Sequence, residues 1–302
     1  MLPRPTVVGL GEILWDVFPD GPRFGGAPAN FACSVAELRG DGMHVHIASG
    51  VGRDDLGRRA IELLRARGVD TNCVSSVDRP TGQVLVELDV AGQASYEFAS
   101  DAAWDNVAWS NELHQLAARA DAVCFGTLGQ RSDLSRQTIQ GFLRATRPDC
   151  LRILDVNLRT PFWNKEILLQ SLELANVLKL NDTELAVLAD MLGWKRADDE
   201  LLEQLVDRYS LQLMALTRGA DGAVIRSASG QQSDLAGQPA AVVDTVGAGD
   251  SYTAALAIGM LSSLPLDTIN AWGIRVAAFV CSQPGATPHL PDDLRLPSLD
   301  NR

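Results

Sequence analysis

The sequence is poor in the residues that most often build metal clusters and disulfide frameworks. Its 302 residues include four dispersed histidines and five scattered cysteines, and no two cysteines form a Cys-x-x-Cys pair. These absences argue against a histidine metal cluster, a zinc site and thioredoxin-type redox chemistry. Because scattered, unpaired cysteines are typical of a reducing compartment, the sequence predicts a cytoplasmic protein.

Several common catalytic and targeting motifs are also missing. The chain contains no GxxxxGK[ST], HExxH or GxSxG motif, and no GxGxxG follows the first apolar segment. No apolar run approaches the length of a membrane span, and the N-terminal residues lack the uninterrupted apolar stretch of a signal peptide. A nucleotide site in this chain must therefore use another scaffold.

Positive charge is scarce. The chain has 26 Lys and Arg against 38 Asp and Glu, for a formal net charge of −12. So acidic a chain is a poor partner for nucleic acid or an anionic membrane, and neither is expected to bind. Hydrophobic residues are abundant at 46%, enough to bury the core of one large α/β domain or of a domain with an insertion.

Short apolar segments alternate with helical patterns along most of the chain. The predicted strands are Thr6–Ile13, His44–Ser49, Ala122–Gly126, Leu151–Asp155, Asn176–Leu180 and Leu213–Thr217. The predicted helices are Ala29–Leu38, Asp55–Arg67, Leu134–Arg147, Lys165–Leu174, Asp182–Leu192, Asp199–Tyr209, Gly249–Leu261 and Leu266–Cys281. This alternation predicts an α/β fold with a mostly parallel sheet, helices on both faces, and ligands at the C-terminal ends of the strands.

One segment breaks the alternation. Thr81–Phe98 is β-like in both halves, with Ala91, Gly92 and Gln93 as a turn, and it predicts a hairpin. With a further strand in Leu14–Phe24, the hairpin predicts a small β lid, formed from about residues 14–24 and 79–101 of a single domain spanning 1–302. The alternative is an ordinary edge hairpin of the main sheet.

A glycine-rich loop near the C-terminus has the layout of an anion site. Residues Asp244 to Asp250 read Asp-Thr-Val-Gly-Ala-Gly-Asp and precede an apolar, alanine-rich helix. The two glycines allow close approach of a ligand, and the N–H groups at the start of the helix favour a phosphate. Asp250 could then accept a proton from an attacking hydroxyl. The alternative is a plain helix entry with Asp250 as its cap.

Several motifs together resemble the PfkB, or ribokinase-like, carbohydrate kinases. Five motifs follow the order and spacing of that family: Gly25-Gly-Ala-Pro-Ala-Asn30, Asp155-Val-Asn-Leu-Arg159, Asn181-Asp-Thr-Glu184, Thr217-Arg-Gly-Ala-Asp-Gly222 and the loop ending at Asp250. The resemblance covers essentially the whole chain, and the first motif, together with Gly11-Glu-Ile-Leu-Trp-Asp16, is most similar to bacterial fructokinases. It implies a three-layer ribokinase-like fold and ATP-dependent phosphorylation of a sugar, with D-fructose converted to fructose 6-phosphate.

The resemblance also implies a role for each motif. Asp250 would be the catalytic base, and the anion hole would be the backbone of Gly247, Ala248 and Gly249. The sugar site would contain Asp16, Gly26, Asn30 and Arg159. Taken singly, these four residues are also explained as a turn aspartate, a tight turn, a helix-start asparagine and half of a surface ion pair.

The remaining motifs would bind ATP and metal ions. The nucleotide residues implied are Asn181, Thr217, Arg218, Gly219 and Gly222, with an adenine pocket around Ala271–Val276. Glu184 would hold Mg²⁺ through water, and Asn181 would also make a good helix cap. The residues matching a potassium site are Asp244, Val246, Val280, Gln283 and Gly285. His289 departs from the family here, because a small hydroxylated residue is frequent at its position.

Three other functions stay open at this point. The first is a family kinase for ribose, 2-keto-3-deoxygluconate or adenosine. The second is a non-catalytic sugar- or nucleotide-binding protein, against which Asp250 and Glu184 argue, since a binder needs neither. The third is a purely structural protein, in which the glycine-rich loop would serve no purpose. Family lids often pair, so a homodimer formed through the lid is compatible with the resemblance.

Overall fold

The computed structural model describes residues 4–88, 94–194 and 198–296. The strands are β1 Thr6–Leu10, β2 Leu14–Phe18, β3 Gly21–Gly25, β4 His44–Gly52, β5 Asp70–Val77, β6 Gly82–Leu88, β7 Ala94–Phe98, β8 Ala122–Phe125, β9 Leu151–Asp155, β10 Val177–Asn181, β11 Leu213–Thr217, β12 Ala223–Ser227 and β13 Gln232–Leu235. The α-helices are α1 Ala27–Arg39, α2 Asp55–Ala66, α3 Asn111–Arg119, α4 Asp133–Ala145, α5 Lys165–Leu174, α6 Asp182–Leu192, α7 Asp198–Tyr209, α8 Ala248–Leu261 and α9 Leu266–Cys281.

The main sheet has the strand order β13-β12-β11-β10-β9-β8-β1-β4-β5. The strands from β11 to β5 run parallel, and β12 and β13 are antiparallel. Helices α1, α2, α8 and α9 pack on one face, and α3 to α7 pack on the other. The predicted α/β class, with a mostly parallel sheet between two helical layers, is confirmed.

The central strands place polar residues at one edge of the sheet. Strands β8, β9 and β10 are mostly apolar and buried, as a parallel sheet between helices requires. Asp155, Asn181 and Thr217 stand at the last position of β9, β10 and β11. Because these strands are parallel, the three side chains reach the same edge, where the N-terminal end of α8 also lies.

The predicted hairpin belongs to a separate sheet. Strands β6 and β7 pair antiparallel, and β6 pairs with β2 in a sheet of order β3-β2-β6-β7. The segment from Leu14 contributes two strands, where a single further strand was predicted, because Pro19 and Asp20 form a tight turn between them. The predicted turn at residues 91–93 lies outside the described residues. The role of this sheet as a lid stays a prediction.

Some boundaries and elements differ from the predictions. Strand β1 ends at Leu10 rather than Ile13, because Gly11 adopts a φ of 146° and lies against the ring of Pro28. Strand β5 was missed because it is polar and gains its place by pairing with β4. Helix α3 was also missed, although Ser110 caps it by accepting a hydrogen bond from the N–H of Leu113. Among the described residues, no helix is both long and apolar enough to span a membrane.

Candidate active site

The glycine loop leads directly into α8. Gly247 takes a φ of 81°, and a Cβ atom added there would lie 2.2 Å from the carbonyl oxygen of Ala286, so the chain can pass only with glycine. The Asp244 carboxylate fixes the loop by accepting from the N–H groups of Val246, at 3.0 Å, and Gly285, at 3.1 Å. The loop is therefore held in shape, with the N-terminal end of α8 behind it.

Asp250 lies inside the first turn of α8. Gly247 occupies the cap position, so Asp250 is not the helix cap that the alternative interpretation required. Its Oδ2 accepts a hydrogen bond of 2.8 Å from Nδ2 of Asn30 in α1. Burial raises the pKa of Asp250 to about 6, with Asp155 adding to the rise. A carboxyl that ionises near neutral pH suits a general base.

Two of the predicted sugar residues, Asn30 and Arg159, interact with Asp250. Asn30 is buried, and its Oδ1 has no hydrogen-bond partner among the described residues. Gly26, at the entry to α1, has a φ of 107°, and a Cβ atom there would lie 2.6 Å from the carbonyl oxygen of Glu12. The positive charge of Arg159 lowers the pKa values of both Asp16 and Asp250, which places these three side chains in one electrostatic neighbourhood.

Asp16 reaches this neighbourhood from β2 of the small sheet. A Cβ atom on Gly25 would lie 2.7 Å from Asp16 Oδ2, so the glycine leaves room for the carboxylate. Burial raises the pKa of Asp16 to about 6, although Arg159 opposes the rise. Arg159 lies four residues after Asp155, the last residue of β9. Between them, Asn157 takes a left-handed φ of 43°. The surface ion-pair alternative for Arg159 gains no support, since its guanidinium makes no ion pair within the described part of the chain.

Glu12 lies in the motif from Gly11 to Asp16, and no functional role was predicted for it. It follows β1, is buried, and its Oε2 has no hydrogen-bond partner among the described residues. Burial raises the pKa of Glu12 to about 7, and the charge of Asp250 raises it further while Arg159 lowers it. The lone carboxylate immediately after an apolar strand was the signal that could have identified it.

Lys179 is a second residue that was missed. It lies within β10 and its buried ammonium is 3.0 Å from Oδ1 of buried Asp155. The other oxygen of Asp155 accepts a 2.8 Å hydrogen bond from the hydroxyl of Thr253 in α8. The sequence signal was present, because a lysine inside the run Val-Leu-Lys-Leu is out of place in a buried strand.

Asn181 and Glu184 form a capping box at the start of α6. Asn181 Oδ1 accepts from the N–H of Glu184, and Glu184 Oε2 accepts from the N–H of Asn181, each at 2.9 Å. Glu184 Oε1 also accepts from the N–H of Leu158. Burial raises the pKa of Glu184, and nearby Lys179 opposes the rise. The predicted capping role of Asn181 is thus observed.

The carboxylate of Glu184 fits a magnesium ion held through water. It is fixed in place from two sides, and each of its oxygens keeps lone-pair capacity beyond the backbone contacts. No cluster of three metal-ligating side chains occurs among the described residues, and the magnesium role of Glu184 stays a prediction.

The other predicted nucleotide residues lie at the end of β11. Thr217 stands beside Asn181 in the sheet register. Arg218 pairs with Asp234 of β13 at 2.5 Å. Gly219 opens a short turn with a φ of 55°, and Gly222, with a φ of 92°, passes within contact of Leu235. Their contacts with a nucleotide stay predictions.

The segment Ala271–Val276 was predicted to form an adenine pocket. It lies in the middle of α9, which begins at Leu266. Gly273 there packs against the ring of Tyr252. Gly273 thus lies at a packing contact between α8 and α9, and an adenine contact in this segment stays a prediction.

The residues matching a potassium site lie on two adjoining segments. Asp244 joins them through its hydrogen bonds to Val246 and Gly285. Gln283 follows the end of α9, and its N–H bonds the carbonyl of Val280. His289 is exposed, and its Nδ1 lies 2.9 Å from Glu37 Oε1 in α1. The departure at position 289 thus makes a surface contact with α1.

Comparison with known proteins adds independent information. The family described as pfkB family carbohydrate kinase matches residues 21–293. A fructokinase from Klebsiella pneumoniae is 30% identical over 309 residues, covering 95% of this chain and 97% of that protein. A fructokinase from Salmonella typhimurium is 30% identical over 268 residues, covering 84% of this chain and 83% of that protein.

Solved structures agree with this relation. An uncharacterized sugar kinase from Pyrococcus horikoshii in complex with ATP is 27% identical, with a TM-score of 0.78 and coverage of 93% of this chain and 94% of that one. A fructokinase with bound ATP from Xylella fastidiosa shares the fold, with a TM-score of 0.83 at 21% identity over 96% of each chain.

Proposed function

Because this chain belongs to the pfkB family of carbohydrate kinases, we propose that it transfers the γ-phosphate of ATP to a sugar hydroxyl, with D-fructose as substrate and fructose 6-phosphate as product. The observation that carries the proposal is the position of Asp250. It stands in the first turn of α8, behind the glycine loop, with a pKa raised by burial to about 6 and a hydrogen bond from Asn30.

The residues present divide the reaction between two groups. Asp250 accepts the proton of the attacking hydroxyl, while the N–H groups of Gly247 to Gly249 face the transferring phosphoryl group. Positioning and electrostatics supply most of the rate enhancement, because phosphoryl transfer passes through a loose, charge-dominated transition state. Asp16, Asn30 and Arg159 orient the sugar, since carboxylate, amide and guanidinium groups match adjacent hydroxyls.

ATP and Mg²⁺ bind beside this site in the proposal. Support for ATP comes from the Pyrococcus horikoshii relative, which is described in complex with ATP. Mg²⁺ bound to the phosphates would neutralise developing charge, and Glu184 would orient its water shell. K⁺ would bind beside the loop that Asp244 holds through its hydrogen bonds with Val246 and Gly285.

Fructose is favoured by the relatives named fructokinase at about 30% identity. Aminoimidazole riboside is the ligand of another structure with this fold, from Salmonella enterica, at 23% identity, which keeps a nucleoside-like acceptor as the second candidate. The two acceptors differ in size, so a direct comparison of turnover separates them.

The test is an ADP-release assay with purified protein, ATP and Mg²⁺. Fructose, ribose, 2-keto-3-deoxygluconate, tagatose and adenosine are offered at equal concentration. We expect fructose to give the highest kcat/KM, and ³¹P NMR to show a phosphomonoester on its 6-hydroxyl. Faster turnover of ribose or a nucleoside would reject fructose and keep the kinase. Release of ADP with no acceptor would reject a role in sugar phosphorylation.

A further inference from the structure

Lys179 places a positive charge inside the sheet where a buried strand would ordinarily be apolar. Its side chain is 7% exposed, and its partner Asp155 is 5% exposed. Asp155 is the only acceptor of a Lys179 hydrogen bond among the described residues. Burying such a pair is costly, and apolar side chains of similar volume would often stabilise a protein as well or better. Stability alone therefore gives little reason for a lysine at this position.

The ammonium of Lys179 lies directly beneath the glycine loop. A Cβ atom added to Gly249 would be 2.8 Å from Lys179 Nζ. Asp155 meanwhile accepts the hydroxyl of Thr253, one turn further along α8. The first turn of α8, which contains both Gly249 and Asp250, thus rests on this buried ion pair.

The charges of the pair act on the proposed base. Asp155 raises the pKa of Asp250, and Lys179 lowers it. The other groups that face Asp250 are Asn30 and Arg159, which lower its pKa, and Glu12 and the buried Cys124, whose pKa values the charge of Asp250 raises. Burial of Lys179 opposes its charge, but Asp155 and Glu184 outweigh burial and raise its pKa. Lys179 is therefore a permanent cation near neutral pH.

We propose that Lys179 is a positioning residue for phosphoryl transfer, whose ammonium offsets Asp155 beneath α8 and adds positive potential to the glycine loop and Asp250. The proposal rests on the proposed kinase function and deepens it. It requires no contact between Lys179 and the substrate, because a fixed charge in a buried site acts on its neighbours through a weakly screening medium.

The experiment compares Lys179→Met, Asp155→Asn and the double variant with wild type. The readout is the pH at which kcat/KM falls on the acid side, using the best sugar of the wild-type protein. Without Lys179 the ionised base is less stable, so the acid limb should move up by on the order of one pH unit. Asp155→Asn should move it down, and the double variant should lie between the two single variants.

A matched control separates electrostatics from general damage. Arg131 and Asp105 form another buried pair, at 2.6 Å with side chains 9% and 7% exposed. Arg131→Met should lower the Tm comparably and leave the acid limb in place. An unmoved limb in folded Lys179→Met, or an equal movement in Arg131→Met, overturns the proposal.

Two further arms keep the result decisive. If Lys179→Met does not fold, Asp155→Asn is compared with the double variant. The double variant lacks both charges, so it does not bury an unpaired Asp155 carboxylate. The double variant must then show its acid limb at higher pH, and equal limbs reject the proposal. If the wild-type protein phosphorylates no sugar, the proposed function fails; if it does and the limbs coincide, only the role of Lys179 fails.

Discussion

Asn30→Leu should shift the acid limb of the kcat/KM profile to higher pH. Asn30 Nδ2 donates a 2.8 Å hydrogen bond to Asp250, and this bond favours the ionised form of the base. Leucine has a similar volume and no donor, so it removes the bond without opening a large cavity. The pKa of Asp250, already about 6 because of burial, should rise further in the variant.

The size of the change follows from the strength of the bond. A hydrogen bond to a charged group contributes about 1.5–3 kcal/mol, which corresponds to about 1–2 pKa units. The base acts only when ionised, so activity rises with pH through its pKa. The acid limb of kcat/KM should therefore shift from about pH 6 to about pH 7–8. Relative to its own value near pH 9, the kcat/KM of the variant near pH 6.5 should be roughly tenfold lower than that of wild type.

The assay measures kcat/KM between about pH 5 and 9, which reports the free enzyme even if sugar affinity also falls. Ser34→Ala is the control, because Ser34 is buried one turn further along α1. The control should keep the wild-type limb. If Asn30→Leu is folded and its limb coincides with that of wild type, the hydrogen bond does not set the ionisation of the base and the assignment of Asp250 is refuted.

Three further changes test other parts of the site. Gly247→Ala should lower kcat at least tenfold at any pH, because its Cβ would lie 2.2 Å from the carbonyl oxygen of Ala286 and displace the loop. If the steady-state rates of this variant equal those of wild type, the loop is not the anion hole. Glu184→Gln should raise the Mg²⁺ concentration needed for half-maximal rate, with a smaller effect on sugar KM, whereas an unchanged magnesium titration would leave Glu184 as a helix cap alone. Amide exchange in β6 and β7 should slow when sugar is added, and equal exchange in both states would make the small sheet a fixed element and not a lid.

Much of the fold was predictable from local pattern. The buried central strands are mostly apolar, and α8 and α9 were predicted to within a residue because their apolar sequences are long. Strand β5 was not predictable in this way, since its polar residues depend on pairing with β4. The end of β1 depends on contact between Gly11 and Pro28, which adjacent sequence does not encode.

Only those residues of the candidate site that lie in recognisable motifs were predictable from the sequence. Asp250 and Asn30 were both identified, but 220 positions separate them, and only the fold shows that they share a hydrogen bond. Lys179 and Glu12 carried visible signals, as charged residues in or beside buried strands. Their meaning depends on the neighbours Asp155, Gly249 and Asp250, which come from other strands and helices.

Asp250 is proposed as the base of a sugar kinase, and the variant Asp250→Asn removes the basic group alone. The amide keeps the shape of the side chain and can still accept from Asn30, while it cannot take up the substrate proton. We expect kcat to fall ~10²–10⁴-fold, with sugar and ATP affinities by calorimetry close to those of the wild-type protein. A folded Asp250→Asn variant that keeps more than about a tenth of the wild-type kcat would contradict this role of Asp250.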